Sequence, residues 1–185
     1  MNMEIATTAR LRLRTITLDD APFYLELVTD PAFIANIGDR GIRTLEAARH
    51  ALATGPLAMQ EARGHSIYLV ELKDSGEPIG MSGLIKRDAL DDVDLGYAFL
   101  PAWRGGGYAY EAGVAVLAYA PSLGLRRVVA ITSPANAASN GLLGKLGFRF
   151  SHFTHVMPDG EGSNLYVIEF EPRAPGATAP TPAQS

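Results

Sequence analysis

From Glu4 to Arg14 apolar and polar residues alternate, Ile5, Leu11 and Leu13 set against Arg10, Arg12 and Arg14. A period of two predicts a half-buried strand over 4–14. Thr17-Leu18-Asp19-Asp20 then opens a helix, with Thr17 or Asp19 as its cap and Phe23, Leu27 and Val28 as inward positions. Asp30-Pro31 closes it, because the residue before a proline is pushed out of the helical region. A second helix runs from Thr44 to about Ala62 over Leu45, Ala48, Leu52 and Met59, broken or kinked at Gly55-Pro56. Strands follow at 67–72 and 78–86, joined by the polar hairpin loop Lys73–Glu77, and a third at 93–100. Tyr108 to Ala120 reads as a helix with Ala109, Ala112, Val116 and Ala120 on one face. A short β-branched strand at 127–132, a helix at 140–146 ended by Gly147, and strands at 148–156 and 165–170 complete the pattern. The order predicts a mixed α/β (α+β) domain over 1–170, antiparallel hairpins leading into a βαβ crossover. A Pro/Ala-rich disordered tail is expected over 171–185.

Composition narrows the class. Hydrophobic residues make up 47% and charged residues 19% of the 185, which suits a globular chain and excludes a disordered one. The net charge of −4 argues against nucleic-acid and anionic-membrane partners, which select basic surfaces. With no cysteine there is no disulfide, Cys-ligated zinc, iron–sulfur cluster or thiol nucleophile. His152 and His155, three apart on a predicted strand, face opposite sides, and no metal is expected. Neither a membrane-length apolar run nor the pattern of a signal peptide occurs, so the expected location is the cytoplasm.

The chemistry concentrates at Phe99-Leu100-Pro101-Ala102-Trp103-Arg104-Gly105-Gly106-Gly107-Tyr108-Ala109. A strand ends, a proline turns the chain, three glycines follow and a helix begins. Glycines let backbone N–H groups approach a ligand closely, and a helix N-terminus adds unpaired donors and partial positive charge. That is a site for phosphate or pyrophosphate, with Arg104 able to add a charged contact. The P-loop Lys-Ser/Thr is absent, and Tyr110 stands where a dinucleotide fingerprint needs its last glycine. On spacing alone a loop that merely turns a corner remains open.

Arg104-x-x-Gly107-x-Ala109 resembles the acyl-CoA-binding motif of the GNAT superfamily of N-acetyltransferases. Asp94-Leu95-Gly96-Tyr97, Asn136-x-x-Ser139 and Leu142-Leu143-x-Lys145-Leu146-Gly147-Phe148 resemble further segments of that family in the right order. Arg10-Leu11-x-Leu13-Arg14, Asp30-Pro31 and Ile79-Gly80-x-x-Gly83-Leu84 are similar to its branch of ribosomal-protein N-terminal (alanine/serine) acetyltransferases. The resemblance covers about 8–170. It implies a central, mostly antiparallel sheet of about six or seven strands with a splayed parallel pair, flanked by about four helices.

The same resemblance implies acetyl-CoA as co-substrate, its pantetheine arm against the Phe99 and Leu100 backbone. It puts the pyrophosphate on Arg104, Gly105, Gly106, Gly107, Tyr108 and Ala109, with Asn136 and Ser139 alongside. The acetyl group would pass directly to a primary amine. Asp94 is the candidate base, with water as the alternative, and Ser139 the candidate acid, with Tyr166 as competitor. Arg40 and Arg43 are expected near the acceptor mouth. The acceptor is read first as a protein or peptide N-terminal α-amine, whose pKa of ~8 needs less help from a base than a lysine's ~10.4. A small-molecule amine (antibiotic, polyamine or amino acid) and a non-catalytic acyl-CoA sensor are the alternatives, and a homodimer is compatible with the sequence.

Overall fold

The computed structural model describes residues 2–156 and 160–171; the expected tail, apart from Glu171, lies outside the described residues. The N-terminal alternation does not make one strand. It folds as a hairpin of β1 (Glu4–Thr7) and β2 (Leu11–Arg14). Thr8 makes the turn: its N–H donates to the Leu11 carbonyl at 2.9 Å, and its Oγ1 accepts from the Leu11 N–H at 3.0 Å. This split raises the strand count to eight. After it come α1 (Ala21–Thr29), α2 (Pro31–Asn36), α3 (Leu45–Leu52), α4 (Ala58–Arg63), β3 (Ile67–Leu72), β4 (Pro78–Ile85), β5 (Asp94–Phe99), α5 (Tyr108–Tyr119), β6 (Arg127–Thr132), α6 (Ala137–Lys145), β7 (Arg149–Thr154) and β8 (Ser163–Glu169).

Among the described residues six α-helices stand where about four are expected, and both additions trace to proline. Pro56 divides the predicted 44–62 helix through a wide π-type turn, Ala53–Leu57, which accommodates a residue with no N–H to donate. Pro31 ends α1 as expected, yet also starts α2: proline is favoured in the first helical position, and Asp30 in extended conformation caps it.

The strands form one sheet in the order β1-β2-β3-β4-β5-β6-β8-β7, antiparallel except for the β5–β6 pair. Apolar side chains pack on both faces, which explains the unbroken Tyr68-Leu69-Val70 run in β3. Tyr68 and Val70 join Leu11, Leu13, Leu84 and Leu95 against Ala112 and Val116 of α5 and Leu143 of α6. Leu69 and Met81 join Phe23, Leu27 and Val28 of α1 and Ala48 and Leu52 of α3 on the opposite face.

One junction matters for function. β4 and β5 share a ladder of six pairs and so do β6 and β8, but β5 and β6 meet in register only at Asp94↔Val129. There the Val129 N–H reaches the Val93 carbonyl at 2.9 Å. Beyond it the two strands part, each still paired on its outer side, so only the groups lining the gap lack sheet partners.

Candidate active site

The parting strands open a cleft of about 2070 Å³ that passes from the glycine-rich loop to the α1–α4 side of the sheet. Alternation along β5 decides what faces the gap. The Leu100 N–H donates to Ile79 at 3.0 Å, so Phe99 stands opposite Gly80 in a pair that turns its own N–H and C=O away from β4. The backbone of Leu95, Tyr97 and Phe99 therefore faces β6 and the cleft. Leu100, expected beside Phe99, is turned into the sheet instead, and its side chain packs in the α1–α3 core.

The loop after β5 is built by backbone conformation. Gly105 and Gly107 adopt φ of +77° and +81°, a region costly for any residue with a Cβ. Gly107 is the N-cap of α5 and contributes no side-chain cap, so the first N–H groups of a twelve-residue helix are presented at the cleft. Gly105, Gly107, Tyr108, Ala109, Asn136 and Ser139 all line the cleft, whereas Gly106 does not. The Gly106 carbonyl instead accepts from Arg10 Nη1 at 3.0 Å, while the Arg10 guanidinium lies 4.1 Å from the Tyr108 ring centre and its Nε donates to Glu111 at 2.7 Å. Burial pushes the Glu111 carboxyl up, but the Thr8 hydroxyl and the Arg10 N–H and guanidinium outweigh it and hold the pKa below its ordinary value.

Arg104 lines the cleft, but its side chain is turned back. Nε donates to the Phe99 carbonyl at 3.0 Å and Nη2 to Asp30 Oδ2 at 2.7 Å. Asn136 caps α6 by accepting from the Ser139 N–H at 3.2 Å. That leaves the Ser139 hydroxyl for Tyr97, and the two hydrogen-bond across the gap between β5 and α6. Burial pushes the Tyr97 phenol up, against the opposing pull of Ser139.

Asp94 sits where the strands still pair, its side chain 1% exposed and both oxygens 3.2 Å from Arg87 Nε. Burial raises its pKa, and the Arg87 charge and hydrogen bonds only partly oppose that. It lines the cleft from the α1–α4 side. Tyr166 does not line it: its hydroxyl donates to Asn140 Oδ1 at 3.2 Å, away from the cleft. Arg40 lines the cleft's far end, and Arg43 is paired with Asp39 at 2.7 Å.

A gapped parallel pair ending in a glycine loop and an uncapped helix is a cradle for an extended, phosphate-bearing ligand. The Acetyltransferase (GNAT) domain family matches residues 10–149, a span that holds the gap, the loop and Ser139. The chain belongs to the GNAT acetyltransferase family. Acetyl-CoA dependence is general to this family. The GNAT chain is 34% identical over 151 residues to an uncharacterized N-acetyltransferase, YoaA, of Bacillus subtilis (strain 168), covering 78% of this chain and 82% of that one. Among solved structures it is similar to a GNAT-family acetyltransferase from Bacillus anthracis, with a TM-score of 0.74 and 24% identity over 90% of this chain and 98% of that one. It is also similar to RimL, a ribosomal L7/L12 alpha-N-protein acetyltransferase in complex with coenzyme A, with a TM-score of 0.77 and 19% identity over 90% and 98%. Around the GNAT cleft, Tyr97, Arg10, Arg87 and Asp30 make contacts that the sequence does not reveal. Period-two counting along 95, 97 and 99 is the signal that finds Tyr97; Arg10 and Asp30 are brought in by contacts distant in sequence, and Arg87 by a loop that folds back over seven positions.

Proposed function

We propose that this GNAT acetyltransferase transfers an acetyl group from acetyl-CoA to a primary amine, with the N-terminal α-amine of a protein or peptide as acceptor. The single-pair junction of β5 and β6 carries the reading, because it leaves strand-edge N–H and C=O groups turned into a cleft that continues to a positive-φ glycine loop. The pantetheine arm lies along Tyr97 and Phe99 as an added strand. The N–H groups of Gly105, Gly107, Tyr108 and Ala109, at the loop and the start of α5, hold the pyrophosphate, with Asn136 and Ser139 along the same wall.

Acetyl-CoA supplies an activated thioester, and the chain's own residues manage the protons. The amine nitrogen forms the new C–N bond as the C–S bond breaks. Asp94 takes the amine's proton through water, a task that a carboxylate with raised pKa suits. Ser139, oriented by Tyr97, delivers a proton toward the sulfur. The Phe99 N–H faces the gap and supports the developing oxyanion, a role closed to the Leu100 N–H by its bond to Ile79. The α-amine acceptor is supported by fold likeness to the α-N-protein acetyltransferase RimL.

The test is a thermal melt with acetyl-CoA, against ADP and NAD, followed by a panel of Ala- and Ser-initiated peptides, polyamines and aminoglycosides. At 100-fold its Kd, acetyl-CoA stabilises by ~2.7 kcal/mol, a shift of about 5–10 °C. An equal shift with NAD overturns the cofactor assignment, and turnover confined to polyamines or aminoglycosides overturns the acceptor.

A further inference from the structure

Arg104 opens the motif of the loop, yet its guanidinium is turned toward the end of β5 and the start of α2. Its Nη2 meets Asp30 Oδ2 at 2.7 Å, and its Nε meets the Phe99 carbonyl at 3.0 Å. That same Asp30 oxygen accepts the Phe33 N–H at 3.1 Å and so caps α2. Asp30 is the more buried partner, its side chain 11% exposed against 40% for Arg104. The Arg104 hydrogen bond is the main cause that draws its carboxyl pKa down. Three structures therefore converge on one planar guanidinium. These are the glycine loop through the Arg104 backbone, the end of β5 through Phe99, and the start of α2 through Asp30. From α2 and its C-terminal boundary, Phe33, Asn36 and Ile37 line the cleft on the α1–α4 side.

We infer that the Arg104 side chain is a positioning residue for the acceptor, holding α2 in register with the rim of the β5–β6 gap through Asp30. This refines the acetyltransferase reading, on which its kinetic arm rests. Arginine suits the task because its fork serves a carbonyl and a carboxylate at fixed mutual geometry; lysine can keep only one of the two.

The experiment compares R104A, R104K and D30N with the wild type by hydrogen exchange over residues 31–37, by calorimetric titration with acetyl-CoA, and by kinetics on an Ala-initiated hexapeptide. Asparagine caps helices as well as aspartate does, so D30N removes the ion pair and keeps the cap. R104A and D30N are expected to speed exchange in α2 and raise the peptide KM by about tenfold, the scale of one charge-assisted hydrogen bond. The acetyl-CoA Kd is expected to stay near the wild-type value, and R104K to recover part of the loss. A weakening of acetyl-CoA binding in R104A but not in D30N makes the side chain a phosphate ligand and overturns the inference. Unchanged α2 exchange in both variants overturns it as well. A wild-type protein that fails to bind acetyl-CoA or to acetylate the peptide counts against the proposed function, while the exchange arm still decides the Arg104–Asp30 tie.

Discussion

At Asp94 one carboxylate is asked to satisfy two conditions at once: it is 1% exposed, and it faces a cation, Arg87, that is itself about a third exposed. Desolvation dominates and the folded-state pKa lies above the ordinary value. A pKa raised by folding means that the native state binds the proton more tightly. Its stabilising contribution is complete below the unfolded pKa of ~3.9 and is lost as pH rises through the native value. D94N does not titrate, so the Tm of the wild type relative to D94N should fall as the pH is raised from 4 toward neutrality; a pH-independent difference argues that Asp94 is not desolvated. In turnover, D94N should lower kcat/KM by about 10²-fold or more and abolish the acidic limb of its pH profile. Retention of the limb assigns the base elsewhere. Asp94 could be placed at the start of a strand from sequence because the strand motif is local. The Arg87 contact could not be read, since nothing in the chain announces that a residue seven positions earlier folds back onto the carboxylate. The same holds for Arg10, whose contact with Gly106 spans 96 positions.

Elements meet in this molecule through a few polar ties whose partners come from different strands and helices. Glu71 of β3 lies between Arg12 and Arg14 of β2, and Arg14 continues to Asp20 at 2.8 Å, just before α1. E71A removes both charge-assisted hydrogen bonds of a buried carboxylate, to Arg12 and to Arg14, while Arg14 keeps Asp20, so it should cost about 3 kcal/mol. For a domain of this size that lowers Tm by roughly 6–12 °C, with the cleft chemistry intact if saturating acetyl-CoA restores the wild-type kcat. A second tie, Tyr97 of β5 to Ser139 of α6, bridges the gap itself. If the two hydroxyls act as one proton-delivering unit, S139A and Y97F should each lower kcat by about 10²-fold and the double variant should be no worse than either. Additive losses would separate their roles. Element boundaries were readable where one rule governed them: 67–72 and 127–132 follow β-branched runs bounded by turns. They were misjudged where two rules competed. Thr8 breaks an alternation that looks continuous, and Pro31 acts both as stop and as start. The last helix begins at Ala137 because Asn136, not a later residue, supplies its cap.

Across the whole molecule the sheet separates the two larger cores, and the cleft passes between its sides. The family was legible because several short motifs fall in a fixed order, each tied to a backbone requirement. Gly80 is one: a Cβ there would stand 2.4 Å from the Phe99 ring, so the rim of the gap depends on its absence. The proposed acceptor end of the cleft was less legible because it is assembled from Tyr24, Phe33, His50 and Met81, drawn from three helices and a strand with no shared spacing. A continuous passage has a kinetic consequence. Both substrates can occupy it together from opposite sides, and a molecule that joins them should gain the second set of contacts without a second loss of translational freedom. CoA linked through an acetyl bridge to the N-terminal nitrogen of an accepted peptide should therefore bind at least ~10²-fold more tightly than CoA alone. Its inhibition should be competitive toward acetyl-CoA and toward peptide alike. A conjugate no tighter than CoA would mean that the peptide lies outside the α1–α4 end of the cleft. G107V, strained at its φ of +81°, should weaken the conjugate and CoA together. D30N should weaken only the conjugate, since the ion pair it removes belongs to the acceptor wall.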